Sequence, residues 1–424
     1  MTERLLQFIW QFQYFNKGEL TTLQGESLQI LFAGQFNTNQ GPDFLEAKIK
    51  IGSTTWAGNI ELHFKASDWE KHNHHLDDNY NNVILHVVWE YDVTPQNSIP
   101  VLELKERVSK ILLQRYDELM KTLSFIPCEN SIHLVKDITW KSWKERLLVE
   151  RLIRKSKAVE RYLQQSTYHW EEAFWWLIAR NFGMKVNSDA FEEMARSIPL
   201  AILAKHKSQI HQLECLLLGQ LNLLNQNFKE EYPKMLKKEY RFYKKKYDLK
   251  QVSMVPFFLR MRPGNFPTIR LAQLAMLVFG SAHLFSKIKD AASILEIRKW
   301  FDVTANDYWH YHYVFDEESD FKKKQLGGQM INNIIINTVV PALFAYGVHH
   351  NEDIYKDRAL KWLEDISAEK NSITKGFENL SFINKNAFDS QFFIQLKNEY
   401  CNNKLCLKCA IGNALLKRSF SGAD

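Results

Sequence analysis

Two acidic residues and the histidine beside one of them are the strongest candidates for chemistry in this sequence. Asp43 follows Gly41-Pro42 and precedes Phe44, and further on lies Glu61-Leu62-His63-Phe64-Lys65. Gly-Pro forces a turn, so Asp43 sits where a loop enters a strand. Glu61, His63 and Lys65 alternate with Leu62 and Phe64 and therefore share one strand face. If the strands at 43 and 61 pair as a hairpin, their carboxylates converge. Two carboxylates with a backbone carbonyl and waters make an oxygen-rich site for Mg²⁺ or Mn²⁺. A metal held so polarises a phosphoryl group and lowers the pKa of a bound water. His63 would orient or deprotonate that water. Lys65 stands two pleats beyond Glu61, roughly 13 Å along the strand, and reaches back only if its stem bends. The plain structural alternative is a turn followed by a solvated strand face.

A second group follows at once: Ser67-Asp68-Trp69-Glu70-Lys71-His72-Asn73-His74-His75. A zinc site requires three or four ligands to converge tetrahedrally, and this dense spacing matches no familiar zinc pattern. The preferred reading places His72 and His75 beside Glu61, contacting phosphate or the attacking water. The alternative is a capped turn with solvated imidazoles. His86 falls inside the apolar run VILHVVW at 83–89 and requires a polar partner there.

Five cysteines are present, and Cys401, Cys406 and Cys409 form a C-x4-C-x2-C group. Such grouping in an intracellular chain suggests metal thiolates rather than disulfides. The spacing matches three ligands of an iron–sulfur cluster, with Zn²⁺ as the competing metal. Cys128, in a polar turn-like stretch, is the expected fourth ligand. Cys215 sits in an apolar helix as a small hydrophobe.

Basic residues concentrate twice. Lys237, Lys238, Arg241, Lys244, Lys245 and Lys246 interleave with Tyr240, Phe242, Tyr243 and Tyr247. That pattern suits a phosphate backbone with stacked bases, but a solvated helix face with an aromatic stripe in the core is the commoner origin. Arg260, Arg262 and Arg270 surround a Pro-Gly turn, with Thr268 as a candidate helix cap. Arginine forks at a helix start bind anions, and pairing with carboxylates across an interface is the other option.

These residues need elements to position them. Residues 4–15 read as an opening helix, with Leu5, Phe8, Ile9, Phe12 and Phe15 on one stripe. Strand patterns follow at 28–32, 47–51, 56–65, 83–89 and 101–104. Beyond residue 108 the period changes to 3.6, giving helices at 109–121, 137–165, 169–182, 199–205, 208–224, 268–281, 329–346, 352–365 and 386–400. The expected division is an α/β domain over 1–108, a connection over 109–136 and a helical domain over 137–424. A length of 424 residues accommodates two or three domains. The net charge of +6 permits a polyanionic partner without demanding one. No secretory signal is visible, and the apolar run 334–347 falls short of the roughly 18 residues of a membrane span, so no membrane partner is expected and the cytoplasm is the default location.

Along its whole length the chain resembles an uncharacterised bacterial family of unknown function. The matching motifs are GPDF at 41–44, SDWEKH at 67–72, NVILHVV at 82–88, RMRPGNFPTIRLAQLA at 260–275, INTVVPALFAYG at 336–347 and DSQFFIQLKNEYC at 389–401. Its N-terminal part is also similar to the PD-(D/E)XK nuclease superfamily, on Pro42-Asp43 and Glu61-x-His63. That resemblance implies a restriction-endonuclease-like α/β domain, here followed by a larger all-helical domain. It further implies a metal-dependent phosphodiesterase acting on nucleic acid, with Asp43 and Glu61 holding the metal. His63 stands where the superfamily has lysine. A neutral imidazole does not replace an ammonium, so this departure supports the alternative: a non-catalytic nucleic-acid-binding or scaffold protein on a degenerate nuclease-like fold.

Overall fold

Alternation of apolar and polar residues builds one six-stranded sheet from the N-terminal third of the chain. Its strands are β1 (Leu28–Phe32), β2 (Gln35–Phe36), β3 (Phe44–Ile51), β4 (Thr54–Lys65), β5 (Val83–Glu90) and β6 (Val101–Glu103). The order is β1-β3-β4-β5-β6, with β2 also paired to β3. β3 and β4 form the antiparallel hairpin anticipated from sequence, with Phe44 opposite Ile60. β4 and β5 run parallel, with Glu61 opposite His86 and Leu62 opposite Val87. Parallel neighbours need a crossover. Here it holds the short helix Asp68–Lys71 and two single turns, His74–Leu76 and Asp78–Tyr80. β5 is buried from Val83 to Trp89, as its doubly apolar sequence requires.

The computed structural model describes residues 2–93, 98–250, 252–281 and 283–418. Contacts divide the chain into two units. Met1–Trp143 and Leu396–Asp424 form the first, and Lys144–Gln395 the second. This differs from the boundaries expected at 108 and 137. The C-terminal cysteine segment belongs with the sheet rather than with the helical part, because it packs on the 126–132 stretch.

The opening helix α1 spans Glu3–Gln11, and the Thr2 hydroxyl accepts from Leu5 N at its start. It ends earlier than its apolar stripe suggests. Phe15 keeps its place in the core from beyond the helix by stacking on Trp10 at 5.8 Å.

The second unit is mostly helical around one large core, which includes Phe174, Phe182, Phe191 and Trp309. It is not all-helical: His312–Val314 and Glu317–Glu318 form a small antiparallel ribbon. The helix over Glu231–Lys246 buries Tyr240 and Tyr243 while Lys238, Lys245 and Lys246 face solvent, so its stripe serves the core. Gly328–His349 makes 22 continuous residues, longer than the sequence run suggests and apolar enough in length and composition to cross a membrane. Its most apolar window is 72% buried within this unit, the position of a core helix.

Close packing of β5 on β4 rests on Gly58. A Cβ there would lie 2.5 Å from Ile84 Cγ2 and 2.6 Å from the Asn82 carbonyl oxygen. The backbone oxygen cannot yield as a side chain would. Gly58→Ala is expected to cost about 1–3 kcal/mol, read as a lower thermal midpoint by calorimetry. An unchanged midpoint would contradict this strand approach.

Candidate metal centre

The register of β4 and β5 places Glu61, His63 and His86 on one face of the sheet. All three are buried, at 5%, 1% and 0% exposure. The crossover then folds back over that face. Ser67 and Asp68 open the short helix, Trp69 drops into the core, and Asn73 takes a left-handed backbone (φ 57°) that turns His72 and His74 toward the sheet. Trp69 is the platform under the cluster, its ring 5.1 Å from that of His86 and 5.4 Å from that of His74.

Three imidazole nitrogens converge, and one carboxylate oxygen stands beside two of them. His63 Nε2 lies 3.2 Å from His72 Nδ1 and 3.2 Å from His74 Nε2. Glu61 Oε1 lies 3.5 Å from His63 Nε2 and 3.5 Å from His74 Nε2. Among the described residues, the trio His63, His72 and His74 brings its ligand atoms within 4.8 Å of one another. Tetrahedral ligands at about 2.05 Å from a metal stand about 3.3 Å apart. The observed edges bracket that value.

The surroundings hold each ligand in place. His63 Nδ1 faces His86 Nε2 at 2.9 Å. With the proton on His63 Nδ1, His86 accepts it and His63 Nε2 keeps its lone pair for the centre. Asp43 N donates to Glu61 Oε2 at 3.0 Å, leaving Oε1 aimed at the histidines. Asp43 itself accepts from Gln7 Nε2 at 2.7 Å and from Leu62 N at 3.2 Å. A bulge at Glu46 (φ 57°), where the β3–β4 register shifts, bends the strand beside Asp43.

Burial governs the ionisation of the group. It raises the Glu61 carboxyl well above its ordinary value, and Asp43 and Glu3 add repulsion. Burial likewise raises Asp43, with Glu3 again contributing. His63 falls to about 2, through burial and then the neighbouring His86, His74 and His72. His74 and His86 fall to about 4, chiefly through burial. The three imidazoles are thus neutral near pH 7, which is the ligating form. His86 Nδ1 and Trp69 Nε1, both buried, have no hydrogen-bond partner among the described residues.

The residues singled out from sequence separate as follows. Asp43, Glu61, His63 and His72 meet. His75 does not; it pairs with Glu70 at 2.9 Å on the exposed side, and His74 takes the inward position. Nothing in the neighbouring pair His74-His75 distinguishes the two until the left-handed Asn73 fixes the turn. Lys65 donates its backbone N–H to Asp68 Oδ2, and its charge acts on Asp92 rather than on the carboxylates. Arg260 and Arg262 are exposed on the second unit. Arg270 is buried there and donates to Gln273 and Asn265, so it supports the local core. Thr268 does not cap its helix; its hydroxyl donates to Tyr313 O, and Pro267 starts the helix. The contributions of Gln7, Glu3 and Trp69 carry no signal in the sequence pattern.

Cys128, Cys401, Cys406 and Cys409 line one small apolar gap in the first unit. Cys215 is buried in the helix Ile210–Gln220 of the second.

The fold and site therefore define a mixed α/β protein, with an N-terminal sheet carrying a buried histidine–carboxylate cluster, followed by a mostly helical part. The chain belongs to the family described as protein of unknown function DUF2851, whose profile matches residues 3–372. No curated protein and no solved structure matches it.

Glu61 provides a sign-definite test. Its folded pKa is raised, so above the ordinary value of 4.5 the unfolded chain releases a proton that the folded chain retains. The Glu61 contribution to the stability of the metal-free protein should then fall as pH rises from about 4.5 toward 8, while the lowered His63, His74 and His86 contribute with the opposite sign below about 6.5. Glu61→Gln should flatten that slope and raise the thermal midpoint near pH 8. Equal slopes in both proteins would show that Glu61 is not held protonated.

Proposed function

We propose that the protein is a metal-dependent hydrolase of phosphodiester bonds in nucleic acid, with its metal held by His63, His72, His74 and Glu61. The observation that carries this reading is the convergence of three imidazole nitrogens, His63 Nε2 lying 3.2 Å from each of the other two, with Glu61 Oε1 3.5 Å from His63 and His74. Nitrogen-rich donor sets suit zinc, iron, nickel or copper, whereas Mg²⁺ takes oxygen ligands. The donor set thus favours a transition metal at the histidines over Mg²⁺ or Mn²⁺ between Asp43 and Glu61. A bound cation of this kind supplies Lewis acidity and a water of lowered pKa.

The chain's own groups have definite tasks. His86 fixes the tautomer and orientation of His63. The Asp43 backbone N–H pins one oxygen of Glu61 and directs the other. Asp43, steadied by Gln7 and Leu62 N, retains a lone pair on each oxygen to accept a proton from water. His72 is solvent-exposed, so the cluster opens on its side. Support for a nucleic-acid substrate comes from the likeness of Pro42-Asp43 and Glu61-x-His63 to the PD-(D/E)XK pattern and from the net charge of +6.

One observation favours a second reading. The motif lysine is replaced by His63, and the Lys65 charge acts on Asp92, with none recorded on Asp43 or Glu61. A non-catalytic nucleic-acid-binding scaffold with a structural metal would tolerate that loss.

The full chain, loaded separately with Zn²⁺, Mn²⁺ and Mg²⁺, should be offered single- and double-stranded DNA and RNA. Metal-dependent cleavage is expected, lost in His63→Ala and His74→Ala and kept in His75→Ala. His86→Ala should weaken metal affinity by about 10- to 100-fold. Salt-sensitive binding without cleavage under every metal selects the scaffold. Metal binding unaffected by His63→Ala and His74→Ala removes the proposed centre.

A further inference from the structure

We infer a second metal centre in the first unit, held by the thiolates of Cys128, Cys401, Cys406 and Cys409. The four side chains come from two stretches far apart in sequence and line one gap, otherwise walled by apolar side chains such as Ile126, Leu396 and Ile411. All four are free thiols; Cys128, Cys406 and Cys409 are buried and Cys401 is partly covered. No disulfide joins any of them.

The environment of Cys409 supplies an independent argument. It precedes the helix Ala410–Lys417 as its N-cap. The backbone N–H groups of Ile411 and Gly412, at the start of that helix, act on its sulfur. A neutral thiol is a weak acceptor, whereas backbone N–H groups at a helix start favour the thiolate that a metal binds. Gly412 permits this turn: a Cβ there would lie 2.4 Å from the Cys406 carbonyl oxygen. The Cys406–Cys409 turn is therefore clamped onto the helix start.

As they stand, the sulfurs do not reach the three-way 4.8 Å convergence found for the histidines. An edge of a zinc–sulfur tetrahedron is about 3.8 Å. The gap itself is about 10 Å³, narrower than an iron–sulfur core. Either core requires the thiol side chains to turn onto it, and the chemistry shared by both is soft-metal ligation by four sulfurs.

The test uses the full chain purified without oxygen. Elemental and acid-labile sulfide analysis is expected to give either stoichiometric iron with sulfide or a stoichiometric zinc that survives His63→Ala/His74→Ala. Reconstitution of metal-stripped protein with Co²⁺ is expected to produce sulfur-to-metal charge-transfer absorption, abolished by Cys128→Ser and by Cys406→Ser. That absorption belongs only to sulfur ligands, so it reads this centre whatever happens at the histidines. The unmodified protein provides the reading even if the serine variants do not fold. A chain free of both metals as purified, with no charge-transfer band on adding Co²⁺, overturns the inference.

Discussion

Burial of ionisable side chains next to one another is the constraint around which the first unit is organised. A carboxylate removed from water costs several kcal/mol unless it is neutralised or paired. Burial raises both Glu61 and Asp43, Asp43 adds to the cost at Glu61 and Glu3 to that at Asp43, and the imidazole of His63 is pushed to neutrality. The chain meets part of this demand with directed hydrogen bonds. Gln7, Leu62 N and Asp43 N occupy three of the four carboxylate oxygens, and His86 occupies one nitrogen of His63. What remains is three converging imidazole nitrogens with one carboxylate oxygen beside two of them, a charge pattern that a cation completes.

The parallel pairing of β4 and β5 makes that point reachable. A hairpin would have connected them in a few residues and left nothing above the sheet face. The crossover instead spends the segment between Lys65 and Val83 on Trp69, His72 and His74, and closes with the Tyr80 ring tilted against that of His74, centroids 3.9 Å apart. Asn73 is the pivot, since a left-handed residue with a short polar side chain reverses the path within one step. Chemistry and topology are thus joined in the same stretch.

Much of this arrangement is legible in the amino-acid sequence. β1 and β5 follow from alternation or continuous apolarity, and the 43–61 hairpin follows from Gly41-Pro42 and the strand pattern beyond it. The meeting of Asp43, Glu61 and His63 is readable because period 2 fixes which side chains share a face. His86 announces itself as a polar residue inside an apolar strand, and it finds its partner in His63. The rest depends on information that local patterning does not hold. Parallel pairing of β4 with β5 is a long-range choice. The selection of His74 over His75 depends on one backbone torsion at Asn73. The opening helix supplies Gln7 because of where it packs, not because of its own stripe. In the second unit, helices such as Met184–Ser197 and Ile294–Phe301 lie outside the apolar stretches that declare themselves in sequence.

The sheet-bearing unit is discontinuous: its last portion, from Leu396 onward, is made only after the whole of Lys144–Gln395. During synthesis the ribosome therefore delivers the later-numbered unit complete while the earlier one still lacks a segment. Chains generally acquire structure from the N-terminus onward as they emerge. Here that order is broken, because the sheet can nucleate early but its cysteine-lined end stays open until the segment from Leu396 has emerged. A nascent chain stalled or truncated before residue 396 would carry a finished insert on an unfinished host, with Cys128 and the apolar side chains around it exposed to solvent.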